Sequence, residues 1–125
     1  MQTVLVVDAD VIVRHHLTEF LRDCGLRVVE ASSAAEARTF LAEASLGIDI
    51  ALIDARLPGS ETAFALRSWI ATTYPKVNVV LAGSLETAVG HASDICEQGP
   101  DLPKPYDPAS VLDRIKRLRA ERDRG

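Results

Sequence analysis

The sequence has no run of apolar residues that approaches the roughly eighteen needed for a membrane-spanning helix. Its N-terminus, MQTVLVVDAD, lacks the basic segment of a signal peptide and reaches two carboxylates almost at once. These absences predict a cytoplasmic protein that does not cross a membrane. At 125 residues, with 47% apolar and 26% charged side chains, the chain is expected to form one globular domain over residues 1–125.

Basic clusters and cysteines are also scarce. The formal net charge of -4 gives no support for a nucleic-acid partner, and the one basic stretch, RIKRLRAERDRG, suits the C-terminal end of a solvated helix. The only two cysteines are Cys24 and Cys96. Because a reducing compartment disfavours disulfides, we expect both to stay reduced and to pack as small apolar side chains near helix ends.

Short apolar runs alternate with amphipathic segments along the chain. The runs predict buried parallel strands over Val4–Val7, Leu26–Ala31, Ile48–Ile53 and Val77–Ala82, and a very short fifth strand at Asp101–Leu102. Helical spacing predicts five helices, of which the fourth covers Leu85–Cys96 and the last follows Asp107 and Pro108. The alternation predicts an α/β fold with a five-stranded parallel sheet flanked by five helices, a flavodoxin-like (βα)5 three-layer sandwich.

Ionisable residues follow three of the predicted strands. Asp8 ends the first strand, Asp54 ends the third, and Lys104 follows the fifth. Ligands bind at the carboxyl ends of the strands in an open parallel sheet, so we expect these groups around one pocket. Paired carboxylates repel each other unless Mg²⁺ or a lysine lies nearby. The set suits phosphoryl transfer to a carboxylate, with cations neutralising the phosphoryl oxygens.

Three segments, VLVVDAD, IALIDARLPGS and LPKPY, resemble the CheY-like receiver domains of response regulators. The resemblance covers the whole chain. It implies that Asp54 is the phosphoacceptor and that Lys104 contacts the phosphoryl oxygens. It also implies a Mg²⁺ site formed by Asp8, Asp54 and the backbone carbonyl of Arg56. The Lys104-Pro105 bond matches the cis peptide of the family.

The sequence departs from the receiver pattern around this site. Ala9 stands where receivers have a second acidic residue, so Mg²⁺ is expected to bind weakly. Asp10 either replaces that ligand or caps the first helix. Receivers usually have Thr or Ser at the end of the fourth strand, where this sequence has Ala82, and the nearest serine, Ser84, comes two residues later. Asp101 replaces the aromatic residue that takes part in the switch of receivers. The acceptor and the lysine are kept, whereas the groups that respond to phosphorylation are missing.

Three functions remain open at this point. A working receiver accepts a phosphoryl group on Asp54 from a histidine kinase or phosphotransfer protein in a two-component phosphorelay. It then signals to a downstream protein through the face of its fourth helix, fifth strand and fifth helix (α4-β5-α5). The alternative is a pseudo-receiver, a phosphorylation-independent protein-interaction module, and neither protein is an enzyme. A haloacid-dehalogenase-like phosphatase would use Asp8 as nucleophile and Asp10 as acid/base, but no acidic pair on a strand follows Lys104.

Overall fold

The structure is a computed structural model that describes residues 2–100 and 107–125. Its strands are β1 (Thr3–Val7), β2 (Arg27–Ala31), β3 (Ile50–Asp54) and β4 (Asn78–Ala82). Its helices are α1 (Val11–Asp23), α2 (Ala34–Ala42), α3 (Ala63–Thr73), α4 (Leu85–Glu97) and α5 (Pro108–Arg124), with a short 3-10 turn at Ala44–Leu46. Among the described residues, no helix is both long and apolar enough to cross a membrane.

The strands form one parallel sheet in the order β2-β1-β3-β4. The parallel α/β fold and the five helices are confirmed, but the described sheet has four strands and not the predicted five. The fifth strand was expected at Asp101–Leu102, which lies outside the described residues, as does the Lys104-Pro105 bond. Its sequence signal was short and lay between Pro100 and Pro103, which lack the N–H that a strand ladder needs.

The sheet separates two apolar cores. One core joins α1, α4 and α5 on the same face, and the other joins α2 and α3 on the opposite face. Successive residues of β1 alternate between them, so Val4 and Val6 enter the first core, and Leu5 and Val7 enter the second. Coverage of both faces explains why Val4–Val7 in this strand is apolar without interruption.

Side-chain caps begin all five helices. Each capping side chain accepts a hydrogen bond from a backbone N–H of the first helical turn, which otherwise lacks a partner, and the caps are Asp10, Ser33, Thr62, Ser84 and Asp107. Of the two roles expected for Asp10, that of a cap of the first helix is confirmed. The caps fix where each helix leaves the carboxyl edge of the sheet, and they thereby position the loops that carry the candidate site.

Cys24 and Cys96 form a disulfide whose Cα atoms are 5.5 Å apart. The expectation that they stay reduced is therefore wrong for this structure. Cys24 caps the C-terminal end of α1, Cys96 lies in the last turn of α4, and both belong to the core that these helices share. The prediction failed because it weighed the cellular compartment alone, whereas the packing of α4 against α1 brings the two cysteines together.

Candidate functional site

Asp54 is the last residue of β3, at the carboxyl edge of the sheet. Its Oδ1 accepts a hydrogen bond from the backbone N–H of Arg56 at 3.0 Å, and the Nε of Arg56 lies 3.4 Å from the same oxygen. The side chain is 14% exposed, and Oδ2 has no hydrogen bond to any described residue. Within the described part of the chain, Asp54 therefore has one oxygen oriented by a hydrogen bond and one oxygen without such a bond.

Asp8 follows β1, and its backbone N–H extends the sheet by donating to the carbonyl of Ala31 at 3.0 Å. Its Oδ1 accepts a hydrogen bond from the backbone N–H of Asp10 at 2.8 Å, and the residue is 7% exposed. Burial raises the pKa of Asp8 to about 6; the Asp10 N–H opposes this rise, and the charge of Asp54 adds to it. Asp8 is thus a buried carboxyl group that holds its proton more tightly than an exposed aspartate.

The two carboxyl groups meet at one cavity. It has a volume of about 280 Å³ and is lined by Asp8, Ala9, Asp10, Val13, Asp54, Arg56 and Arg119. Asp8 and Asp54 reach it because β1 and β3 are neighbours in the parallel sheet, so their carboxyl ends lie side by side. Lys104, the third residue that we expected here, lies outside the described residues.

Asp10 lines the cavity but is already engaged. Its Oδ1 caps α1 by accepting from the N–H of Ile12 at 3.0 Å, and Arg122 donates to Oδ1 at 2.8 Å and to Oδ2 at 3.1 Å. The Nε of Arg119 lies 3.4 Å from Oδ2. Burial acts to raise the pKa of Asp10, but the hydrogen bonds from Arg122 and from the α1 backbone hold it below its usual value. Asp10 is therefore ionised, and its carboxylate both caps α1 and pairs with Arg122 through both oxygens.

The family model of the response regulator receiver domain matches residues 4–116. The chain belongs to the receiver domain family of response regulators. This receiver is similar to a response regulator from Thermotoga maritima, with 26% identity over 94% of this chain and 97% of that chain and a TM-score of 0.60. It is also similar to the non-phosphorylated HemR receiver domain from Leptospira biflexa, with 25% identity over 94% of each chain and a TM-score of 0.60.

A CheY-like receiver domain protein from Methanospirillum hungatei shares the fold at a TM-score of 0.62, with 23% identity over 99% of this chain and 98% of that chain. No curated protein is similar enough to this receiver to count as a match. The family predicted from the three sequence segments is confirmed, and with it the placement of the chain in two-component signalling.

The donors available to Mg²⁺ in this receiver are few. Ala9 offers no side-chain oxygen and both oxygens of Asp10 are held by Arg122, so among the described residues Asp8, Asp54 and the carbonyl of Arg56 remain as candidate donors. The described part of the chain contains no group of three His, Cys, Asp or Glu side chains that could hold a metal ion. Because Mg²⁺ relies on carboxylates for charge, these residues fit a divalent ion poorly.

The positions that respond to phosphorylation in receivers are altered here. Ala82 pairs with Asp54 across β3 and β4, so a methyl group stands where the family has a hydroxyl. Ser84 lines a narrow cleft beside Asp54, but its Oγ caps α4, where it accepts from the N–H of Thr87 at 3.1 Å and lies 2.8 Å from the Thr87 hydroxyl. Asp101 lies outside the described residues. The hydroxyl of Ser84 is therefore already engaged in capping α4.

Arg119 and Arg122 are the site residues that sequence reasoning missed. The basic C-terminal stretch was interpreted as a solvated helix end, yet Arg122 bonds Asp10 across 112 positions of the chain. No local pattern marks this contact, because it depends on how α5 packs against α1 and α4. The positive charge at the candidate site thus comes partly from the end of the last helix.

Proposed function

We propose that this receiver accepts a phosphoryl group on Asp54 from a histidine kinase or a phosphotransfer protein, as one step of a cytoplasmic two-component phosphorelay. The observation that carries the proposal is the placement of Asp54: Oδ1 is held by the Arg56 N–H, and the residue lines an open cavity of about 280 Å³. The other oxygen can attack phosphorus, forming a P–O bond while the bond from phosphorus to the donor's leaving group breaks. The proposed role is that of a signalling module and not of an enzyme.

The groups around Asp54 are assigned by family resemblance together with their positions. We propose that Lys104 contacts the phosphoryl oxygens, as the LPKPY segment implies. Asp8 and the carbonyl of Arg56 would complete a weak Mg²⁺ site with Asp54, supported by the position of all three residues on one cavity. Asp10 is a poor additional ligand because Arg122 holds both of its oxygens.

The second candidate function is a pseudo-receiver that binds a partner protein without phosphorylation. Ala82 at the hydroxyl position and the use of Ser84 as a helix cap favour it, because both reduce the response to a phosphoryl group. In either case we propose that the downstream partner binds the α4-β5-α5 face. Two of its elements, α4 and α5, pack against each other in the structure.

Intact-mass measurement after incubation with acetyl phosphate and Mg²⁺ separates the two candidates. A working receiver gains the mass of one phosphoryl group, and Asp54→Asn, which keeps the shape of the side chain, gains none. Asp49→Asn is a matched control at the opposite end of β3, where Asp49 bonds the backbone of Thr3, and it should be labelled like the wild type. Absence of labelling in the wild type would favour the pseudo-receiver.

A further inference from the structure

We propose that the cavity beside Asp54 is an oxyanion site in which Arg56 and Arg119 supply the positive charge for a phosphoryl group, so that no divalent cation is required. This inference rests on the proposed function and adds to it the residues that neutralise the negative charge of the phosphoryl group. Its starting point is the poor fit of the site to Mg²⁺. The described residues offer two free carboxyl side chains there, Asp8 and Asp54, whereas the guanidinium groups of Arg56 and Arg119 line the same space.

Arg119 is the first residue that supports an anion site. Its Nε is buried and has no hydrogen-bond partner among the described residues. It lies 3.4 Å from the Oδ2 of Asp10, which is close enough for an ion pair but lacks the geometry of a hydrogen bond. This Nε is therefore closed off from the cavity, but the Arg119 side chain as a whole lines the cavity and is 35% exposed. The charge of its guanidinium can thus attract an oxygen of a phosphoryl group in the cavity.

Asp10 does not require Arg119, because Arg122 already neutralises it. Arg122 binds both carboxylate oxygens, at 2.8 and 3.1 Å, which is the two-pronged geometry that makes arginine–carboxylate pairs strong. The two arginines come from adjacent turns of α5 and therefore approach the site from the same side. Arg122 anchors the helix to the α1 cap, and this anchoring places Arg119 at the cavity.

Arg56 approaches from the β3 side. Its Nε is 3.4 Å from the Oδ1 of Asp54, and its side chain is 61% exposed, so the guanidinium is near the acceptor without being locked against it. A guanidinium stays charged at all physiological pH values and can bind two phosphoryl oxygens at once. Phosphorylation replaces the single charge of Asp54 by a group with a charge between about -1.5 and -2, which strengthens the attraction to both arginines.

The loss of the acidic residue at Ala9 agrees with this assignment. A site that recruits Mg²⁺ gains from each extra carboxylate, whereas a site that binds an oxyanion through arginine is weakened by each one, because like charges repel. With Ala9 in place of an acidic residue, the cavity wall has one negative charge fewer. The negative charge of Asp10, which also lines the cavity, is neutralised by its ion pair with Arg122. The cavity is thereby suited to an anion held by arginine.

The first test measures phosphorylation by acetyl phosphate in EDTA, with intact mass as the readout. The wild type should be labelled with and without Mg²⁺, and Arg56→Gln and Arg119→Gln should each be labelled about ten to a hundred times more slowly, the range expected for a lost charge-assisted hydrogen bond. Arg117→Gln is the matched control, because Arg117 is on the same helix but lines a separate groove between α1 and α5. It should behave like the wild type.

The second test does not depend on phosphorylation. Inorganic phosphate is titrated into Asp54→Asn in EDTA, with the amide shifts of Ala9 and Arg56 as the readout, and adding Arg119→Gln should weaken the binding several-fold. Labelling that requires Mg²⁺ and is insensitive to both arginines would overturn the inference, as would a failure of Asp54→Asn to bind phosphate. If the wild type is never labelled but phosphate binding depends on the arginines, the oxyanion site is supported and the proposed phosphorylation of Asp54 is refuted.

Discussion

Reduction of the disulfide between Cys24 and Cys96 should destabilise this receiver substantially. The bond links residues that are 72 positions apart, and a cross-link of that span removes about 4 kcal/mol of chain entropy from the unfolded state at 25 °C. Domains of this size are stable by about 5 to 15 kcal/mol, so the cross-link accounts for a large part of the total. The bond also ties the C-terminal end of α4 to the C-terminal end of α1, both inside one core.

The assay is urea unfolding of the oxidised protein and of the same protein in a strong phosphine reductant. With a slope of about 2 kcal/mol per molar urea, the midpoint should fall by roughly 2 M on reduction. Cys24→Ala/Cys96→Ala is the control for the reductant itself, because its midpoint should be low and equal in both buffers. Equal midpoints for the oxidised and reduced wild type, with the bond verified by mass, would refute the reasoning.

Three further predictions concern the site. Ala9→Asp should tighten Mg²⁺ binding by about tenfold or more in calorimetric titration, because it restores a carboxylate; an unchanged affinity would show that Ala9 does not limit the site. The pKa of Asp8 is about 6 in the folded protein, against 3.8 for an unperturbed aspartate, so the folded state binds the proton more tightly. Protonated Asp8 therefore stabilises the folded state below pH 4, and this contribution is lost as the pH rises through 6. Asp8→Asn should therefore gain up to about 3 kcal/mol over the wild type between pH 4 and pH 8 in urea unfolding, and a parallel pH dependence of the two proteins would contradict this. Finally, beryllofluoride should cause only small amide shifts over α4 and α5, and Ala82→Thr should enlarge them by restoring the hydroxyl; large shifts in the wild type would show that another group performs the switch.

The parallel sheet and the position of Asp54 at its edge could be predicted from the sequence because their signals are local. A strand covered on both faces must be apolar throughout, as Val4–Val7 is, and a helix start needs a side chain that can accept from free N–H groups, as Asp10 and Asp107 do. Asp54 could be placed at the sheet edge because the apolar run of β3 ends there. The weak fifth-strand signal at Asp101–Leu102 was too short to carry the same weight.

What only the tertiary structure decided are the contacts between distant elements. The disulfide exists because α4 packs on the same face of the sheet as α1. The ion pair between Arg122 and Asp10 exists because the end of α5 reaches the start of α1. The pKa of Asp8 likewise depends on burial by its surroundings and on the neighbouring Asp54. A sequence records which side chains can bond, cap or titrate, whereas the distance and the shielding that decide whether they do so arise only when the helices dock on the sheet.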